Sequence, residues 1–390
     1  MPGKWQIFTS LNGVLYGLPQ LSGGRPPLAL SVRTDWLRNL GVTSVPKTLD
    51  ELEALLVRFR NDDPDKNGIK DTYGLGNGEN AGNVNNIAPY VFASYGVNIG
   101  KWGVDKDGLP LAWQTQPEYR DALARVSQWY AKEIYDPGIV VNTRDENFAR
   151  FSSGVTAGFF GVDWQVQPTA TNAFDPWLAL LRNRPDLDEK TVYTHIPPVT
   201  GPKGAFTTKF STEITSSMWS YFGRNASDEK IIRMLSMFND ITANRDLYML
   251  MYFGIKGQHY DLDPDGRAIK RPEWGTPEKQ TELGAQRFYN HSFFTGDLLF
   301  YSYTPGRWDA YTKTQPYPCL PLHGVNDLQT NADREYGAST GTIQLEFFWK
   351  IITGELNVQR DWDAYVTRWM NAGGREIIND KKALAKAQGF

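Results

Sequence analysis

Nine residues, Asp63-Pro-Asp-Lys-Asn-Gly-Ile-Lys-Asp71, constrain this chain more than any other stretch. Counting Asp63 as position 1, side-chain oxygens fall at positions 1, 3, 5 and 9, on Asp63, Asp65, Asn67 and Asp71. Gly68 stands at position 6, where a chain wrapped around a cation must turn sharply, and the backbone carbonyl of Ile69 falls at position 7. An all-oxygen set of this kind suits a hard cation such as calcium, without the sulfur or imidazole that transition metals favour. Position 12 is Gly74, so the bidentate glutamate that closes an EF-hand shell is missing. A solvated Asx/Gly turn without metal is the competing reading. The regular spacing favours a structural calcium, with the loop a clip between elements that by itself says nothing about chemistry.

The segment leading into this loop carries equally local signals. Thr48-Leu-Asp-Glu51 is a capping box, in which the Thr hydroxyl and the Glu carboxylate each accept from a helix-end amide. Leu49, Leu52, Leu55, Leu56 and Phe59 then recur on one helical face. The helix delivers the chain straight into the loop, so a bound cation would lock its exit.

At 390 residues the chain exceeds what one core organises, which predicts two lobes. A net charge of -3 offers no basic field for nucleic acid. The 13 Trp, 19 Tyr and 20 Phe suit stacking against sugar rings, and equally a large core. One cysteine, Cys319, excludes an internal disulfide framework. No apolar run reaches the ~20 residues of a membrane span. The start shows neither an export signal nor a cysteine for lipid attachment, leaving two readings: a cytoplasmic protein, or an exported one whose front part is absent.

Asn12 to Leu18 reads as a turn and short strand, and Gly23, Gly24, Pro26 and Pro27 as a breaker cluster and candidate hinge. Leu28 to Val32 is a second apolar stretch leading to a short helix. The Gly/Asn run from Gly76 imitates a dinucleotide fingerprint, but no strand leads in and no helix with its acid follows, so that reading is set aside. A buried helix over 87–95, a hairpin over 101–113 and an amphipathic helix over 117–133 come next. Val155 to Gly161 is a strand entering Val162-Asp163-Trp164, the way ligand-facing rings are often set at a cleft, although Trp164 as ordinary core is the alternative. Further on come a strand over 206–219, a helix capped by Ser227 and a hairpin over 254–266. The spaced Asp261, Asp263 and Asp265 read as a solvated turn. Helices over 280–290, 345–352 and 362–372 flank an aromatic loop with Tyr301, Tyr303, Trp308 and Tyr311.

Nothing nominates catalysis. The four His are scattered, and no H-E-x-x-H, G-x-S-x-G or P-loop pattern occurs. Paired carboxylates for glycoside cleavage stay open, since sequence does not reveal spatial pairs. Rings, amides and a structural cation favour binding without turnover.

With these residues assembled, the chain resembles the extracellular solute-binding proteins of bacterial ABC sugar importers, in particular their large lipoprotein and alginate-binding members. The resemblance rests on Asn12-Gly-Val-Leu-Tyr-Gly-Leu-Pro19, Arg33-Thr-Asp-Trp-Leu37 with Leu40-Gly41, Pro46-Lys-Thr-Leu-Asp-Glu51, and Asp63 through Leu75. Ile134-Tyr-Asp-Pro137, Gly254-Ile-Lys-Gly-Gln-His-Tyr260, Lys350-Ile-Ile-Thr-Gly-Glu355 and Trp362-Asp-Ala-Tyr365 follow in the family's order.

What the resemblance implies is an α/β, two-lobed periplasmic-binding-protein-like (type II) fold with a hinge and an incomplete first lobe. That lobe would comprise 1–25 plus about 195–250, and the second 26–194 plus about 251–390, with crossings near Leu18–Arg33 and His195–Gly204. The implied calcium ligands are Asp63, Asp65, Asn67, the Ile69 carbonyl and Asp71, with Thr72 where alginate binders place a further acid. Ring-stacking roles carry over to Tyr90, Trp164 and Trp308, and hydroxyl-fixing roles are expected of Arg33 and Asp163. The implied ligand is an oligosaccharide and the implied partners are the membrane permease subunits of an importer. The protein is expected to be a monomer, extracellular or periplasmic, anchored as a lipoprotein in its full-length form. A carbohydrate-active enzyme or binding module using the same rings is the alternative.

Overall fold

A computed structural model describes residues 26–169, 175–209, 222–223, 225–274, 277–284, 298, 300–301 and 303–389, together with the backbone of 10–11, 14–15, 17–21 and 214–221. The chain divides into two units: Met1–Arg25, Thr169–Asp175 and Phe210–Thr312 form the smaller, and Pro26–Pro168, Pro176–Lys209 and Lys313–Phe390 the larger. Elements are labelled for the larger unit only.

Its sheet has three strands, with β1 (Ala29–Arg33) in the centre, between β2 (Gly158–Gly161) and β3 (Tyr193–Ile196). Both pairings are antiparallel, with Ala29 opposite Gly161 and Arg33 opposite Tyr193. Every residue of β1 is buried, which is why Leu28 to Val32 reads as a near-continuous apolar run.

Helix α1 (Thr34–Asn39) follows β1 directly, and α2 (Leu49–Asn61) opens with the expected capping box. Thr48 Oγ1 accepts from the Glu51 amide at 3.2 Å, and Glu51 accepts from the Thr48 amide at 3.3 Å. Leu49, Leu52, Leu55, Leu56 and Phe59 are all buried, so the helical period shows which face meets the core. Helices α3 (Pro89–Ser94) and α4 (Pro117–Ala131) share that core with α7 (Asn331–Ile352) and α8 (Val358–Trp369). Helices α5 (Arg144–Ser152) and α6 (Pro176–Asn183) enclose a second aromatic core of Phe148, Phe151, Phe159 and Trp177 beneath β2. The carboxyl terminus is α9 (Arg375–Ala387).

In the smaller unit, Gly17–Leu21 pairs antiparallel with Ile214–Tyr221. The helix Asp228–Ala243 begins after Ser227, whose side chain makes no capping bond. The hairpin expected over 254–266 forms further along, as Tyr260–Leu262 paired with Ala268–Lys270. Its acids are taken up by arginines: Asp263 by Arg267 at 2.8 Å and Asp261 by Arg271 at 2.8 Å. The aromatic loop expected around Trp308 is instead a helix, Pro305–Thr314.

The expected lobe boundaries need two corrections. Residues 195–209 stay with the larger unit, because β3 is hydrogen-bonded to β1 and could not leave without unpairing it. Residues 251–312 belong to the smaller unit, because Tyr252, Phe253, Tyr260, Ala268 and Leu298 share one core with Ile241 and Tyr248. The hinge glycines Gly23 and Gly24, residues 210–213 of the expected strand and 285–290 of the expected helix lie outside the described residues.

Candidate functional site

The surroundings of Trp164 are assembled on a Gly/Asn loop pressed against β2. A Cβ at Gly78 would stand 2.2 Å from the Phe160 carbonyl oxygen, backbone that has nowhere to move, so only glycine fits. This close approach lets Gln165, fully buried, join two segments far apart in sequence. Its Oε1 accepts from the Val162 amide at 2.9 Å, and its Nε2 donates to the Gly78 carbonyl at 3.0 Å. The Gln165 carbonyl in turn accepts from Trp177 Nε1 at 2.8 Å. The turn presenting Asp163 and Trp164 is thereby held on both sides.

Three further bonds tie the loop down. Asn147 Nδ2 donates to the Glu79 carbonyl at 2.8 Å, the Arg144 amide to Asn80 Oδ1 at 2.8 Å, and Trp349 Nε1 to the Ala81 carbonyl at 3.1 Å. Trp164 is half-buried at the edge of the aromatic core, with the Arg144 guanidinium 5.9 Å from its ring centroid. Burial pushes the Glu79 carboxyl above its ordinary range, and the opposing pull of Arg144 and a hydrogen bond from Gln165 does not cancel it. The arrangement is an indole on a turn held by the buried Gln165 amide, with a guanidinium beside its ring and no nucleophile–base pair among these residues. It can stack and hydrogen-bond a polar ring.

Two expected contact residues are corrected by their placement. Tyr90 is fully buried, and its hydroxyl donates to the Ile196 carbonyl at 2.7 Å while accepting from the Leu30 amide at 3.1 Å. Its ring meets Phe160 edge-on at 4.9 Å, so Tyr90 rivets α3 to the sheet and offers no open face. Burial accordingly pushes its phenol well up. Arg33 is buried too, donating to both carboxylate oxygens of Asp35 at 3.0 and 2.6 Å and lying over Trp36. Its charge is spent on holding the start of α1. Asp163 is buried beside Trp164. In the smaller unit Trp308 is partly buried, stacked on Tyr311 at 5.4 Å and met edge-on by Phe300 at 5.0 Å.

Sequence reading missed Glu79, Arg144 and Gln165. The only signal was the Gly/Asn run itself, whose side-chain-free stretches let another segment approach closely.

The Asp63–Asp71 loop folds around its own side chains. Asp63 accepts from the amides of Asn67 at 3.1 Å and Gly68 at 3.0 Å, and Gly68 takes the positive φ of 80° that position 6 demands. Asn67 Nδ2 donates to Asp65 at 2.9 Å and to Asp71 at 3.3 Å, sitting among the carboxylates where a cation would. Among the described residues, no group of three or more His, Cys, Asp or Glu stands ready to hold a metal ion. The donor set nonetheless fits one: Asp65 Oδ1 is buried without a hydrogen-bond partner, and burial together with the charges of Asp71 and Asp63 raises the Asp65 carboxyl.

Thr72, the residue after the loop, is buried and donates to the Phe59 carbonyl at 2.7 Å. The loop's exit is clamped by Arg60, which donates to the carbonyls of Lys70 at 2.9 Å and Thr72 at 3.2 Å and to Glu133 at 3.1 Å.

Residues 2–220 match the model of the bacterial extracellular solute-binding proteins. The chain belongs to that family. Its members bind a solute and do not transform it. The protein is 26% identical over 390 residues to lipoprotein LipO of Bacillus subtilis, covering 96% of this chain and 72% of that one. It is 25% identical over 406 residues to the polygalacturonan/rhamnogalacturonan-binding protein YtcQ of Bacillus subtilis, covering 97% and 71%.

The fold is that of two-lobed solute-binding proteins. The crystal structure of alginate-binding protein AlgQ2 without calcium ion superposes with a TM-score of 0.68 at 18% identity, over 97% of this chain and 76% of that one. An EF-hand mutant of FusA from Streptococcus pneumoniae, in complex with fructo-nystose, gives 0.67 at 17%, over 98% and 78%.

Proposed function

We propose that this solute-binding protein captures an oligosaccharide against Trp164 and hands it, chemically unchanged, to the permease subunits of an ABC importer. The observation that carries the reading is the half-buried indole of Trp164, on a turn fixed by Gln165 and with the Arg144 guanidinium beside its ring. A sugar ring has an apolar C–H face and a polar edge, which match an indole face and its hydrogen-bonding rim. The names of relatives support the class: YtcQ binds polygalacturonan and rhamnogalacturonan, and FusA is a fructooligosaccharide-binding protein. Asp163, next to Trp164, supports the turn, and Trp308 is the candidate saccharide-facing ring of the smaller unit.

The protein works as a monomer outside the cytoplasmic membrane, held there as a lipoprotein, in keeping with an extracellular family that includes LipO. Calcium is its structural ion, held by Asp63, Asp65, Asn67, the Ile69 carbonyl and Asp71. The orphaned Asp65 oxygen supports this, and the ion would supply charge neutralisation in the loop and nothing at Trp164.

The experiment is incubation of the purified protein with a panel of fructo-oligosaccharides, oligogalacturonates and alginate oligomers. The reading expects a raised melting temperature with at least one of them and that saccharide recovered intact by chromatography. Shortened products would argue for an enzyme, and no shift with any member would remove the oligosaccharide reading.

A further inference from the structure

Helices α7 and α8, joined by the turn 353–357, flank an open groove of about 210 Å³ on the larger unit. The helical repeat builds it, because residues three and four apart share a face. Ile343, Phe347 and Leu356 floor it together with Tyr365, whose ring lies parallel to that of Phe347 at 4.0 Å and 7°. Ile343 is 9% exposed and the two aromatic residues 5% each, so the floor belongs to the core. The rim is charged and balanced: the carboxylates Glu346 and Asp361 line it alongside the cations Lys350 and Arg368. Glu346 is met by Lys350 at 3.1 Å and by Arg368 at 3.0 Å, and Lys350 also by Glu355 at 3.2 Å. Asp361 accepts from Arg360 at 2.7 and 2.8 Å and from the Asn357 amide at 2.8 Å. Each charge at the rim is already matched.

From this geometry we propose that the groove is a binding site for a small uncharged aromatic molecule, one ring with a short polar substituent, as in a phenol. Volume sets the size: a cavity of about 150 Å³ holds benzene, so this groove takes a single substituted ring and no second. The floor sets the character, since an apolar surface with two rings in it gains most from a third, stacked or edge-on. The rim sets the charge. A carboxylate or ammonium on the ligand would have to break an existing ion pair or sit against a like charge. A hydroxyl instead donates to a carboxylate that keeps its cation. A saccharide fits less well, because hydroxyls run all round its ring and those over the floor would lose water without gaining a partner. None of the groove's residues belongs to the Trp164 turn, so the inference goes beyond the oligosaccharide reading and does not rest on it.

The test is a fluorine-NMR titration of the full chain with para-fluorophenol, and with para-fluorobenzoate and para-fluorobenzylammonium as charged counterparts of similar size. The phenol is expected to bind with a dissociation constant of about 1 mM, in keeping with so small a ligand. Each charged probe should bind at least about fivefold more weakly. Ala364 lines the groove from the exposed side of α8, so Ala364→Phe fills the groove without entering the core. That variant should cut phenol affinity by at least about tenfold and leave the melting temperature unchanged. Excess kestose should leave the phenol bound. The comparison of charged with neutral probes needs no variant and stands even if Ala364→Phe folds poorly. Absence of phenol binding up to about 10 mM, charged probes held as tightly, or affinity undiminished in Ala364→Phe overturns the inference. Displacement of the phenol by kestose overturns it as well, by giving the groove to a saccharide.

Discussion

The loop at Asp63–Asp71 and the turn at Asp163–Trp164 lie in the same unit and are built in opposite ways. The loop is local: the side-chain bonds between its own residues join positions two to five apart, such as Asn67 to Asp65 and Gly68 to Asp63. The turn is assembled from a distance. Gln165 reaches Gly78 across 87 residues, Arg144 reaches Asn80 across 64, and Trp349 reaches Ala81 across 268. Local assembly lets a short motif carry its own geometry. Remote assembly leaves the binding residues to be fixed by the fold, where they need no signature of their own.

Each region also has one buried side chain that closes it, Arg60 for the loop and Gln165 for the turn, and removing either separates their roles. The largest effect is expected from Arg60→Ala. It strands the Lys70 and Thr72 carbonyls and frees the loop's exit, costing about 3 kcal/mol in chemical denaturation. Saccharide affinity should stay within a few-fold, because nothing in the Arg60 clamp touches the Trp164 rim.

Calcium acts on the same region from the other end. At free calcium about a hundred times its dissociation constant it should add about 2.7 kcal/mol, seen as a higher melting temperature that a chelator reverses. Affinity for the sugar should barely change. A chelator that abolished sugar binding without moving the melting temperature would contradict the clip role. Gln165→Leu is the smallest in stability, about 2 kcal/mol for the unpaired Val162 amide and Gly78 carbonyl. Its consequence for binding is the larger, with sugar affinity falling at least tenfold as the indole loses its fixed position.

The same contrast decides what the sequence makes legible. The capping box at Thr48, the apolar face of α2 and the turn at Gly68 are each set by a few neighbours, and each forms as its pattern says. Trp164 stands out in the sequence because small residues precede it in a strand. Glu79, Arg144 and Gln165 were missed because their partners lie in other segments. Tyr90 and Arg33 mislead for the converse reason: a phenol and a guanidinium look like ligand groups in isolation. Only the fold places the Tyr90 hydroxyl between Leu30 and Ile196, and only the bidentate pair with Asp35 shows that Arg33 is spent. The unit boundaries failed similarly, since the pairing of β3 with β1 spans more than a hundred residues.

The central claim is that the indole of Trp164 holds the sugar. Calorimetric titration of Trp164→Ala, in the full chain and with whichever saccharide binds the native protein most tightly, tests it most directly. The account predicts a loss of about 2–3 kcal/mol, roughly 30- to 150-fold in affinity, with the melting temperature of the unliganded protein little changed. Undiminished affinity in a folded Trp164→Ala protein would place the ligand elsewhere.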